Sequence, residues 1–273
     1  MSQNLLCKRQ PPAEDGCIQR ITPSSAGWQY VGFEVYTLSK GKTIQQDTGD
    51  REVCLVLVSG TASVQAGTET FRNIGVRMSP FEKTPPYSVY VPPKTRFVVT
   101  AESDLELAVC KAPGTGKFPP RLIGPDAVEP VARGKGRNQR YVHNILTDES
   151  EAESLLVVEV YTDEGNTSSY PSHKHDQDNP PHETYLEETY YHRFDPPQGF
   201  CLQRVYVDDR SLDECVAAYD KDVVMVPRGY HPVAAIAGYN NYYLNVMAGP
   251  VKLWRFTWEK DHAWINSDAY PRT

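Results

Sequence analysis

The chain has 273 residues, a formal net charge of −7, and 17 tyrosines and 22 prolines. That length suffices for one large domain or two smaller ones with buried cores. The acidic balance excludes a nucleic-acid groove or an anionic membrane surface as the expected partner, and no segment reaches the ~20 apolar residues of a membrane span.

Residues Met1 to Arg9 contain no long apolar stretch, and the six cysteines (7, 17, 54, 110, 201 and 215) form no C-x-x-C pair. A cytoplasmic location with free thiols is the expectation. Frequent Val, Thr and Tyr, many prolines and few runs of helical period predict β structure with many turns. In the first half, Val53-Cys54-Leu55-Val56-Leu57-Val58 reads as a strand running into a turn at Ser59-Gly60. Thr61–Val64, Phe97–Thr100 and Leu105–Val109 read as further strands. Pro113 to Asn138, dense in Gly and Pro, reads as a linker, and its Arg133, Lys135 and Arg137 as a solvated basic run.

Past the linker come His173-Lys174-His175, a Pro-rich acidic stretch from Asp176 to Glu187, and Glu188-Thr189-Tyr190-Tyr191-His192. The apolar run Val223–Val226 then leads into Pro227-Arg228-Gly229-Tyr230-His231, and Tyr239–Tyr243 starts another strand. Residues two apart on a strand share a face, so His173 and His175 can reach one ion. His231 adds an imidazole at a strand end beside a tight turn. Three imidazoles and one carboxylate suit a borderline divalent ion such as Zn, Mn, Fe, Co or Ni. Glu188 is preferred as the carboxylate because it shares its face with Tyr190 and His192, while Glu183 and Glu187 stay open as rivals. His182 and His262 read as loop residues, and His143 as a core or linker contact.

The two halves echo each other. Glu34-Val35-Tyr36-Thr37 recurs as Glu159-Val160-Tyr161-Thr162, 125 positions later, and Val89–Arg96 aligns with Val224–His231, 135 positions later. About ten extra residues in the second half fall in the Asp176–Glu187 stretch. All seven histidines lie at or after position 143, and Arg96 stands where the second half has His231. A duplicated β fold follows, with an N-terminal domain over 1–130 that lacks metal ligands and a C-terminal metal domain over 131–273.

Antiparallel strands, duplication, an H-x-H pair and a distal P-x-G-x-H turn resemble the cupin superfamily. This implies an all-β bicupin: two β-barrel (double-stranded β-helix) domains in tandem. The gap between H-x-H and Glu188 is longer than that superfamily's pattern, and Lys221 stands where a Gly is usual. At finer scale, Arg137–Ile145, Ser172–Asp176, Glu187–Phe194, Asp209–Leu212, Val226–Val233 and Tyr242–Pro250 resemble the 5-deoxy-glucuronate isomerase family.

That resemblance implies conversion of 5-deoxy-D-glucuronate to 2-deoxy-5-keto-D-gluconate in inositol catabolism. The sister ketol-isomerases of pectin breakdown imply zinc on three His and one Glu. Candidate proton-transfer residues are Tyr190, His192, Tyr243 and Glu183, with Arg204 and Arg228 for the substrate carboxylate. A small sugar acid is the expected partner, and a homo-oligomer is left open. Three alternatives share the ligands: a ketol-isomerase of another deoxy uronic acid, of the pectin-breakdown type; a cupin dioxygenase, which would consume O₂; and a non-catalytic sugar-binding cupin. No glycine-rich dinucleotide fingerprint follows a strand, so no redox cofactor is expected.

Overall fold

In a computed structural model of the chain, residues 4–270 are described, and strands dominate them. The chain forms two compact units. The first comprises Gln10–Glu129 and Asn144–Val157. The second comprises Pro130–His143, the chain from Val158 onward and the N-terminal strand Leu6–Cys7. A linear division at 130/131 thus misses two exchanges: a short N-terminal piece belongs with the C-terminal unit, and residues 144–157 with the other.

Each unit joins a large sheet to a four-stranded one. In the first unit the large sheet runs, in spatial order, Arg121–Ile123, Ser88–Val91, Arg51–Ser59, Leu105–Pro113, Gly32–Leu38 and Cys17–Ile21. The second unit's large sheet runs Leu6–Cys7, Val223–Val226, Glu187–Asp195, Asn240–Ala248, Leu156–Thr162, Arg140–Leu146 and Pro130–Arg133. Five consecutive strands of each sheet correspond in order, and the described pairings are antiparallel. The small sheets match too: Thr43–Asp47, Arg96–Ala101, Ala62–Ala66 and Glu69–Ile74 against Thr167–Ser168, Val233–Ala235, Phe200–Tyr206 and Asp213–Tyr219. The fold is an all-β, duplicated cupin.

Register fixes the equivalence to the residue. Val53 lies opposite Val91 and Glu188 opposite Val226, both pairs offset by 135 (53 to 188, 91 to 226). Glu52 therefore corresponds to Glu187, and Val53, Leu55 and Leu57 to Glu188, Tyr190 and His192. In the first unit those positions join Val89, Val91, Phe97 and Val109 in a buried apolar core, each large side chain contributing about 1.5–3 kcal/mol of burial. The repeated Glu-x-Tyr is one interaction made twice: Tyr36 Oη donates to Glu34 at 2.8 Å and Tyr161 Oη to Glu159 at 3.0 Å.

Glu52 is fully buried and serves the backbone. It accepts amide N–H groups of Glu153, Ser154 and Leu155 at 2.6–2.7 Å and the Tyr90 hydroxyl at 2.8 Å. The expected linker is partly structured: Arg121–Ile123 pairs with Ser88–Tyr90, and Pro130–Arg133 with Arg140–His143. Its composition reads as loop because these strands are defined by the edges they complete rather than by their own apolar pattern. All six cysteines are free, and among the described residues no helix is long and apolar enough to cross a membrane.

Candidate metal centre

The second unit's large sheet carries Glu188, Tyr190, His192 and Phe194 along one face of Glu187–Asp195, following the two-residue period of a strand. His173 belongs to a two-residue strand, paired with Trp258, and His175 follows it directly. His231 comes from the turn after Val223–Val226. Gly229 in that turn has φ 88°, and a Cβ there would stand 2.3 Å from the Tyr206 carbonyl oxygen, so only glycine fits. Paired backbone bonds between Tyr206 and Tyr230 (2.9 and 2.7 Å) pin the turn.

The ligand atoms of His173, His175 and His231 lie within 4.8 Å of one another, all buried. His175 Nδ1 is 3.0 Å from the Leu186 carbonyl and His231 Nδ1 2.8 Å from the Gly229 carbonyl. A carbonyl only accepts, so both Nδ1 atoms carry the proton, and in the neutral rings both Nε2 atoms present a lone pair. Both Nε2 atoms stand 3.2 Å from one oxygen, Glu188 Oε2. Ligand atoms bound at ~2.1 Å to a common tetrahedral or octahedral ion stand about 3.0–3.4 Å apart. His231 Nε2 and His173 Nδ1 are also buried without a hydrogen-bond partner, the condition of donor atoms waiting for a cation. The residues fit a divalent ion.

Electrostatics point the same way. Burial, with the neighbouring imidazoles, holds His173 well below the ordinary histidine range. Burial likewise brings His231 down to about 4 despite Glu188. Burial opposes charge on His175 too, but the hydrogen bond and charge of Glu188 outweigh it and raise that ring. Phe256 and Trp258 pack on His173 with centroids at 4.7 and 5.6 Å, an apolar wall beside the donors.

Beside the imidazoles runs a chain of hydroxyls. Ser169 Oγ is 3.0 Å from Tyr190 Oη and 3.3 Å from Tyr243 Oη. Ser169 holds φ 48°, a left-handed conformation uncommon for serine. Burial and the Glu188 charge push Tyr190 well above the ordinary tyrosine range, and burial raises Tyr243 to about 12, so both phenols keep their protons at neutral pH. His192 is buried and brought down to about 4 by desolvation. Gln203 Oε1 accepts from its Nε2 at 3.0 Å, and Asn241 Nδ2 donates to its Nδ1 at 3.3 Å.

Seven of the residues singled out from sequence therefore gather in one place: His173, His175, Glu188, His231, Tyr190, His192 and Tyr243. Three do not. Glu183 Oε1 accepts the amides of Asp176 and Gln177 (2.9 and 3.0 Å), capping the inserted loop, and lines a polar cleft of about 590 Å³ with Lys174. Arg204 follows inward-facing Gln203 and so points outward, bound by two 2.7 Å bonds to Asp213. Arg228 is exposed in the turn before Gly229. Sequence reasoning missed Ser169, Gln203 and Asn241. Of these, only Gln203 carried a signal, since alternation along Phe200–Tyr206 sets it opposite in facing to Arg204.

The sequence profile of the KduI/IolB family matches residues 5–265. A curated 5-deoxy-glucuronate isomerase of Geobacillus thermodenitrificans (strain NG80-2) is 58% identical over 254 residues, 93% of either chain. The crystal structure of an IolB-like protein from Salmonella typhimurium LT2 superposes with a TM-score of 0.94 at 65% identity, covering 97% of this chain and 100% of that one. A Bacillus subtilis oxalate decarboxylase variant shares the fold alone, with a TM-score of 0.68 at 12% identity over 94% of this chain and 80% of that one.

Proposed function

The chain belongs to the KduI/IolB family, and on that premise we propose that it is a cytoplasmic, divalent-metal-dependent aldose–ketose isomerase that converts 5-deoxy-D-glucuronate to 2-deoxy-5-keto-D-gluconate in inositol catabolism. The observation that carries the chemistry is the set of two Nε2 lone pairs and one carboxylate oxygen at 3.2 Å spacing, completed by His173. His173, His175, Glu188 and His231 would hold the ion, and three imidazoles with one carboxylate favour zinc. Once bound, such an ion supplies Lewis acidity to a sugar carbonyl and its neighbouring hydroxyl.

Aldose-to-ketose conversion moves one hydrogen from C2 to C1 and one from O2 to O1, with no external oxidant or reductant. The second transfer suits the chain's own hydroxyls. Tyr190 Oη and Tyr243 Oη, joined through Ser169 Oγ, can give a proton to one substrate oxygen and take one from the other without any hydroxyl remaining charged. His192, with both ring nitrogens engaged, holds the wall behind Tyr190 (centroids 6.1 Å) rather than acting as a free base. Glu183, occupied by the loop amides, has no part in the proton transfers.

The test is anaerobic turnover of 5-deoxy-glucuronate by metal-loaded enzyme in D₂O, with the product read by proton NMR. Ketose formation is expected, with deuterium at the former aldehyde carbon. Absence of ketose with a full equivalent of metal overturns the isomerase assignment, and ketose without deuterium replaces the enediol route by a hydride shift.

A further inference from the structure

We propose that Arg140 and Arg133 are the substrate-carboxylate clamp of this site, an inference resting on the isomerase reading above. The two residues lie directly opposite each other on the antiparallel strands Pro130–Arg133 and Arg140–Leu146. Like charges placed directly across a strand pair repel. Among the described residues no carboxylate comes within 4 Å of either guanidinium, whereas the other cations of this unit near an acid are paired: Lys174 with Asp176 and Asp208, Arg193 with Asp220, Arg204 with Asp213. Two half-buried, facing, unneutralised guanidiniums make a place for an anion.

Their position matches that of the reacting site. Arg133 lies over Trp254, which packs on Phe256 with centroids at 6.1 Å, and Phe256 packs on His173 at 4.7 Å, while Asn138 and Gln139, next to Arg140, accept from Thr167 and Asn166 just before the Ser169 turn. Burial lowers the pKa of both, which marks the solvation that an anion would restore.

Each guanidinium is also held in place. Arg140 Nη1 donates to the Asn138 carbonyl at 3.1 Å, and Arg133 lies over the Trp254 ring at 5.7 Å. Gly134 has φ 75°, and a Cβ there would stand 2.6 Å from Arg140 Nη1 and 2.1 Å from the Asn138 oxygen, so the backbone leaves room for this arginine. A uronic acid carries its carboxylate at the end opposite the reacting aldehyde. A cation pair set apart from the metal ligands, yet joined to His173 through Trp254 and Phe256, suits a molecule extended between the two.

The experiment compares wild type with Arg140→Met and Arg133→Met as metal-loaded enzymes. It uses 5-deoxy-glucuronate and the neutral aldose with a hydroxymethyl group in place of the carboxylate. Each substitution is expected to raise KM for the uronate by roughly ten- to a hundredfold and to shrink the preference for uronate over neutral aldose by a similar factor. Without ligand, Tm is expected to hold or rise, because one of two facing charges is gone. Equal losses on both substrates, or an unchanged KM for the uronate, overturn the clamp.

Calorimetric titration with D-glucuronate separates this outcome from failure of the isomerase reading. Wild type binding the uronate while Arg140→Met does not upholds the clamp even if no substrate turns over. Equal binding by both proteins refutes it, and so does a wild type that binds no uronate.

Discussion

Glu188 and Val53 occupy the same register position in the two large sheets, each facing the valine of a Val-x-Val-Pro strand, Val226 in one and Val91 in the other. Duplication has kept the backbone and changed the filling. Where one unit sets a carboxylate among imidazoles, the other sets valine in a close-packed core. Val53→Glu is therefore expected to bury an uncompensated carboxyl and destabilise the chain by about 3–5 kcal/mol, without adding bound metal. Urea unfolding and elemental analysis read both outcomes, and an extra equivalent of metal would contradict the picture of the first core.

Glu188→Gln and His231→Ala are each expected to leave less than one divalent ion per chain after gel filtration, with affinity weakened by several kcal/mol. Glu183→Gln and Glu187→Gln are expected to retain the full equivalent, since Glu183 caps a loop and Glu187 occupies the opposite face of its strand. Full metal content in Glu188→Gln would transfer the ligand role elsewhere.

Ser169→Ala is expected to lower kcat about ten- to a hundredfold with metal content intact, because it cuts the link between Tyr190 and Tyr243. The residue's positive φ adds a strain that alanine retains and glycine relieves. Comparing Ser169→Ala with Ser169→Gly separates the two effects. Similar kcat losses with different thermal stabilities point to the hydroxyl, and full activity in Ser169→Gly would remove it from the reaction.

Acid stability carries the signature of His192. Desolvation takes its pKa from the ordinary 6.5 to about 4 in the folded chain, so the unfolded state binds a proton that the native state refuses between those values. Its contribution is fully present above pH 6.5 and is lost as pH falls toward 4, a change of about 3 kcal/mol. Urea midpoints measured across this range should fall more steeply for wild type than for His192→Gln. Parallel profiles would mean that the ring is not held neutral.

How much of this was legible beforehand depends on the kind of constraint. The convergence of His173, His175, Glu188 and His231 could be read because such side chains sit at fixed backbone places: alternate residues of a strand, or the residue after a turn that demands Gly229. The duplication could be read because each repeat preserves a contact or a strand pairing, such as Tyr36–Glu34 and Tyr161–Glu159. Arg133 and Arg140 were illegible as a pair. Their opposition arises from strand pairing within a Gly-rich stretch whose composition resembles a solvated linker. Arg204 was misjudged for the converse reason: it lies on a strand of the site, but one residue out of phase with inward-facing Gln203, and a one-residue step reverses the face. Ser169 depends on a backbone conformation that serine rarely adopts and that composition does not announce.

The short strand Leu6–Cys7 closes the outer edge of Val223–Val226, with Leu6 opposite Val224, a bond from the Met225 amide to the Leu5 carbonyl, and the Arg9 amide bonded to Asp222. During synthesis this segment leaves the ribosome long before its partner exists. The strand that leads to His231 thus takes its edge partner from 218 positions earlier (6 to 224), while the other unit pairs its Val-x-Val-Pro strand with Arg121–Ile123, 31 positions later (90 to 121). A change at Leu6–Cys7 is therefore expected to reach the His231 turn through Val223–Val226, although the two lie far apart in sequence.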